Sequence, residues 1–185
     1  MEDLGFRLPE SHYEVVHNPI DTDLFAYHPK STEQCKKILS IRPYTSRTYA
    51  NDLSVKVILA LTGKPYFKDL EFRMIGDGKL FDEALAPLRG YSNVYIEGLY
   101  LTQAEIAAFH REYGISLCPT RMETQGVSRN EAMSSGLVPI TNAVAAIPEF
   151  VDDSCGILAP SEDAEAMAHG IARLFAKPDT FASLR

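Results

Sequence analysis

Two glutamates, Glu123 and Glu131, stand eight positions apart in METQGVSRNEAMSSG (residues 122–136), around a glycine, a serine and an arginine. Paired carboxylates do acid–base work on sugars when they flank the reacting bond at a set separation. A glutamate at such a place also closes helix termini. Ser128 and Glu131 have the S-x-x-E spacing of a capping box, in which the glutamate reaches back to the N-cap amide. On local grounds the cap accounts for Glu131. Glu123, in the loop before the helix, has no equivalent account and by default reads as a solvated acid.

Three loops have the composition of an anion site. IRPYTSR places Arg42 and Arg47 near one sheet edge, and guanidinium groups suit a diphosphate, although two solvated loop arginines are the plainer reading. IGDGK carries Gly76 and Gly78, which permit close backbone approach to a ligand or form a tight turn; the third glycine of a dinucleotide fingerprint is absent. Gly126 precedes a helix starting near Ser128, so unpaired N–H groups and the positive end of the helix dipole point above it. Two features are set aside: Asp21 and Asp23 have DxD metal spacing but lie ahead of the sheet, and the histidines show no ligand spacing, with His110 and His169 expected on helix surfaces.

These loops need elements to hold them. From about residue 36, β-rich runs (KKILSIRP, LEFRMIG, NVYIEG, GISLCP, GLVPIT, CGILAP) alternate with runs of helical period, for example Leu53, Val57, Ile58 and Leu61, or Leu80, Ala84, Leu85 and Leu88. Thr102 and Glu105 open another helix with capping-box spacing, and Ala164 to Phe175 form the last. This alternation predicts an α/β fold, a Rossmann-like parallel sheet of about six strands with helices on both faces. Ligands of such sheets bind beyond the carboxyl ends of the strands. Residues 1–35, polar and proline-containing with one strand at YEVVH, read as a connector, and the chain as a piece of a longer protein.

A chain of 185 residues that is 45% hydrophobic suits one domain, and a net charge of -7 without a basic run argues against nucleic acid or an anionic membrane as the main partner. Cys35, Cys118 and Cys155 are expected as reduced thiols of a cytoplasmic protein, and no signal peptide or membrane span is evident.

Taken in order, the loops resemble the donor-binding, C-terminal half of the family-four retaining glycosyltransferases, the group 1 glycosyl transferases of GT-B fold. VVHNPIDTDLF is similar to the family's linker segment, SIRPYTSR to its Gly-Arg-Leu turn ending in lysine, and MIGDGKL to its Val-Gly-Asp-Gly-Pro loop. CPTRMETQGVSRNEAMSSGLVPI resembles the segment with the E-x7-E spacing, and AAIPEFVDDSCGILAP its Gly-Gly-Ile-Pro-Glu continuation. Departures fall at Ile41, Arg47, Thr124-Gln125 and Ala145-Ala146.

The resemblance implies that residues 1–35 are a linker from an N-terminal acceptor domain and residues 36–185 the donor domain. It implies that Glu131 binds ribose, that Glu123 contacts the transferred sugar near the reacting carbon, and that Arg42 and Arg47 hold the diphosphate. Gly126 and Val127 would offer amides, and Leu99, Tyr100 and Leu101 backbone to the base. Gly76, Gly78, Thr124, Gln125 and Ser128 complete the implied donor set. The implied reaction takes a sugar from a UDP- or GDP-sugar without metal or cofactor; the isolated piece is expected to be inactive. Its place is the cytoplasm, or the cytoplasmic face of a membrane if the other half carries it there. Alternatives are a nucleotide-binding module without catalysis and another GT-B enzyme such as a nucleotide-sugar epimerase.

Overall fold

Strands form where β-branched and leucine-rich runs are long enough to be buried on both faces, as parallel sheets require. In the computed structural model, which describes residues 9–12 and 14–184, these are β1 (Lys37–Ile41), β2 (Glu71–Gly76), β3 (Val94–Gly98), β4 (Ile115–Leu117), β5 (Val138–Asn142) and β6 (Ile157–Ala159). They make one parallel six-stranded sheet in the order β3-β2-β1-β4-β5-β6. All six runs expected from the sequence are present. In the connector, by contrast, Glu14 to His17 form no strand, and Tyr13 of that run lies outside the described residues.

The helices are α1 (Asn51–Leu61), α2 (Phe81–Leu85), α3 (Gln103–Glu112), α4 (Val127–Ser134), α5 (Ala164–Ala176) and α6 (Pro178–Ser183), the last not expected. α2 is shorter than its apolar period suggested and ends in a 3-10 turn (Ala86–Leu88). Pro87 supplies the reason, since it has no N–H to continue the ladder. Thr102 and Glu105 do form the capping box of α3. None of the helices among the described residues is long and apolar enough to cross a membrane.

Successive side chains of β1 point to opposite faces. Ile38 joins the core under α1 and α5, whereas Leu39 joins the one against Tyr113, Ala132 and Leu137. The helix after β1, α1, packs on the first of these faces, and the helix after β4, α4, on the second. Between those adjacent strands lies the switch point where a ligand cleft opens.

The segment ahead of β1 packs against the α3–α4 face. Phe25 is buried, its carbonyl accepts from Ser134 Oγ at 2.8 Å, and its ring meets that of His110 at 5.5 Å. His110, expected on the surface, is 4% exposed. Its Nδ1 is 3.1 Å from Ser135 Oγ, and Lys30 donates Nζ to its backbone carbonyl. The amphipathic count missed this because the covering residues come from 80 positions away. Burial, then the Lys30 charge, lowers the His110 pKa from 6.5 to about 4.

A neutral folded imidazole takes up a proton only near pH 4, whereas the unfolded one does so near 6.5. The unfolded state thus binds more protons between those values, and stability falls as pH drops through that window. We expect about 3 kcal/mol from this group alone. The ring NMR signals of His110 will stay those of neutral imidazole well below pH 6.5, and His110→Phe will flatten the pH dependence of unfolding in that window.

Candidate functional site

The cleft at the carboxyl end of the sheet has a volume of about 560 Å³, ample for a drug-sized ligand. It brings together Arg42, Gly76, Leu99, Tyr100, Leu101, Glu123, Val127 and Ser128 of the expected set, with Ile41, Thr45 and Tyr49 between them. Tyr100 is 92% exposed at its rim. Contributions thus come from the loops after β1, β2, β3 and β4.

Arg42 is no solvated loop residue. Its side chain is buried, 3.5 Å from Ser128 Oγ and 3.4 Å from the Pro119 carbonyl, with its guanidinium 5.2 Å from the Tyr49 ring centroid. Those contacts are long, and Nε has no partner among the described residues. Arg47, in contrast, is not brought into the cleft. It projects with 78% of its side chain exposed, 3.7 Å from Glu83, into a groove of about 290 Å³ between α1 and α2.

The glycines of IGDGK serve the protein itself. A Cβ at Gly76 would lie 1.9 Å from the Arg42 carbonyl oxygen, and one at Gly78 2.4 Å from the Tyr44 carbonyl carbon. They let the loop after β2 seat against the loop after β1, where Arg42 donates its N–H to Ile75 and Tyr44 to Asp77.

The capping box expected at Ser128 does not form. Gly126, at φ 76°, is the N-cap of α4, so Val127 and Ser128 are already helical and Ser128 cannot cap. A left-handed N-cap of this kind suits glycine. The Glu131 carboxylate, released from that duty, accepts no hydrogen bond and joins no ion pair among the described residues, although the residue is 9% exposed. Burial raises its pKa. It lines a small cavity of about 30 Å³ with Arg42, Ser128 and Arg129, directly under the cleft.

Glu123 sits in the cleft and accepts the Thr124 N–H at 3.0 Å. Thr124 itself is exposed. Gln125 turns away from the cleft: its amide and the Asn18 backbone exchange hydrogen bonds of 2.7 and 2.8 Å, tying the segment ahead of the sheet to the loop after β4. Asp21 of the DxD triplet is engaged in a turn, where it accepts the N–H groups of Asp23 and Leu24.

Two arginines escaped the sequence reading. Arg129 is buried at the start of α4. Arg121 is bidentate to Asp52 at 2.8 and 2.9 Å and to Glu162 at 2.8 Å, and reaches the Arg47 carbonyl at 2.9 Å. Hydrogen bonding from Arg121 is the main reason that the Asp52 pKa is lowered. With Thr120 and the Arg121 N–H both bonded to the Thr48 carbonyl, the loops after β1 and β4 are riveted together. The signal was weak in sequence, because Asp52 and Glu162 are far apart along the chain.

Residues 36–177 match the family model described as glycosyl transferases group 1. No curated protein matches. Among solved structures, the C-terminal domain of a glycosyl transferase group 1 family protein from Francisella tularensis is similar with a TM-score of 0.72 at 20% identity, over 90% of this chain and 92% of that one. A variant of S. aureus TarM, solved with fondaparinux, α-GlcNAc-glycerol and UDP, has a TM-score of 0.71 at 18% identity, over 86% of this chain and 32% of TarM. The pneumococcal O-GlcNAc transferase GtfA, solved with UDP and GlcNAc, has a TM-score of 0.61 at 22% identity, over 80% of this chain and 30% of GtfA. The chain spans about a third of the length of the last two.

Arg121→Ala removes the rivet. We expect a loss of about 1–2 kcal/mol in unfolding free energy, discounted for the partial exposure of both carboxylates. Hydrogen exchange of the amides of residues 120–126 will accelerate beyond the change seen elsewhere in the chain.

Proposed function

The chain belongs to the group 1 glycosyl transferases, and on that premise we propose that it is the donor domain of a retaining enzyme that transfers a sugar from a UDP- or GDP-sugar. The observation that carries this reading is the Glu131 carboxylate, buried beside Arg42 under the N-terminus of α4 and engaged by no described residue. A desolvated carboxylate without partners is costly. A vicinal diol donating two hydrogen bonds to it, as ribose would, removes that cost.

Other groups fit the rest of such a donor. Leu99 to Leu101 offer backbone at the far side of the cleft for the base. Arg42 and the first-turn amides of α4 face the same space, and fixed donors of this kind stabilise the charge that grows on a departing diphosphate. These groups do that work without a metal. Glu123, which lines the cleft with Arg42, would meet the sugar near the reacting carbon as the glycosyl group becomes oxocarbenium-like. The UDP bound to TarM and GtfA supports a nucleotide of this class. In this proposal an N-terminal domain of the same protein, joined through residues 1–35, holds the acceptor, so the piece alone binds donor and transfers little.

Calorimetry with UDP and GDP tests the reading directly, since binding of neither would sink it. Glu131→Gln sharpens the test. Its folded pKa is raised, so the folded state holds its proton more tightly than the unfolded one, and ionisation lowers stability as pH rises through the carboxylate range. The glutamine variant should therefore be at least as stable as the parent at neutral pH while losing about 10- to 100-fold in nucleotide affinity, the size expected of lost hydrogen bonds to a charged group. Had Glu131 been a cap, its loss would instead destabilise by ~1 kcal/mol.

A further inference from the structure

Arg129 is the cation for which neither spacing nor resemblance supplied a role. Helical side chains lean towards the N-terminus, so from the first turn of α4 this one runs back beneath residues 123–126. It is 2% exposed. Its Nη2 donates to the Gln125 carbonyl and, at 2.9 Å, to Asn130 Oδ1. Its Nη1 packs against the N-cap glycine so tightly that a Cβ at Gly126 would lie 2.6 Å from it. The guanidinium rests on the Phe150 ring at 5.2 Å.

What the side chain lacks is a counter-charge. Nε and Nη1 have no hydrogen-bond partner among the described residues, and no described carboxylate forms an ion pair with it. Glu123 attracts it from a distance and Arg42 repels it. A buried guanidinium held this way is expensive unless an anion completes it. Arg129 lines the small cavity it shares with Arg42, Ser128 and Glu131, and Arg42 and Ser128 line the cleft as well.

We propose that Arg129 is the buried counter-charge of the donor's diphosphate, adding a full, poorly screened positive charge to the N-terminal turn of α4 while fixing the shape of that turn. This rests on the reading of the cleft as a nucleotide-sugar site. It assigns to Arg129 from below the role that the resemblance implied for Arg47, whose exposed charge is screened by water and shared with Glu83.

NMR titration of the 185-residue chain with UDP and uridine, and in parallel GDP and guanosine, separates charge from structure. In Arg129→Met the affinity for the diphosphate should fall about tenfold or more while that for the nucleoside holds, so the ratio of the two collapses. A packing role alone would weaken both together or neither, and an unchanged ratio overturns the proposal. If the methionine variant does not fold, Arg129→Gln, which keeps a donor for the Gln125 carbonyl, is read by the same ratio. A second arm uses Arg47→Met: a loss of diphosphate affinity larger than that of the Arg129 variant overturns the assignment. Should the parent chain bind neither diphosphate, the underlying reading of the cleft has failed, which the parent titration alone reveals.

Discussion

The loops after β1 and β4 leave neighbouring strands towards opposite faces of the sheet, and everything in the cleft depends on how that gap is kept open yet rigid. A parallel sheet of order β3-β2-β1-β4-β5-β6 creates the gap wherever the winding reverses. Left alone, two such loops would carry unsatisfied backbone and move independently. Here Arg121 spans them with three nitrogen–oxygen contacts to Arg47 and Asp52 and adds two to Glu162 beyond β6, and Thr120 and Arg121 share the Thr48 carbonyl. The glycines after β2 brace the first loop from its other side. Rigidity at the rim is thus supplied largely by groups, Thr120 and Arg121 among them, that do not line the cleft.

The floor beneath the cleft follows the opposite logic. Arg42, Arg129 and Glu131 are each more than nine-tenths buried, and none forms an ion pair among the described residues. Replacing such a trio by packed apolar side chains generally costs a fold nothing and often stabilises it. Their cost in the free protein is the preorganisation a charged ligand uses, because donors and acceptors already in place need no rearrangement when the ligand arrives. The lowered pKa of Arg129 and the raised pKa of Glu131 have burial as their first cause and record the same expense.

Much of the scaffold was legible because parallel strands announce themselves as short apolar runs, and all six did, the edge strands β3 and β6 included. Legibility declined where a residue's partner lies far along the chain. His110 looked amphipathic and exposed until Phe25 and Lys30 covered it, and Arg47 looked equivalent to Arg42 until the turn of residues 47–49 sent it towards Glu83. The E-x7-E stretch runs along the cleft and the cavity beneath it, yet the S-x-x-E pattern inside it misled. Glycine at φ 76° moved the helix start ahead of Ser128, a conformation that no spacing rule encodes. Arg129 was missed because an arginine in a helix ordinarily reaches solvent.

One departure from the family pattern, Gln125, has a structural account. Gln125 pairs its amide with the Asn18 backbone, and Arg129 lies on Phe150, whose ring also meets that of His17 with centroids 5.4 Å apart. Residues 17 and 18 belong to the segment that leads into the domain. The loop bearing Glu123 is therefore held from behind by that segment through two adjacent contacts, one of hydrogen bonds and one of edge-on rings and charge. A polar side chain at position 125 would be a liability in an apolar socket, but with both its amide groups satisfied by one backbone unit it becomes a register pin. A movement of the leading segment reaches the loop bearing Glu123 through Gln125 and Phe150, so what precedes the sheet helps to set the geometry around Glu123.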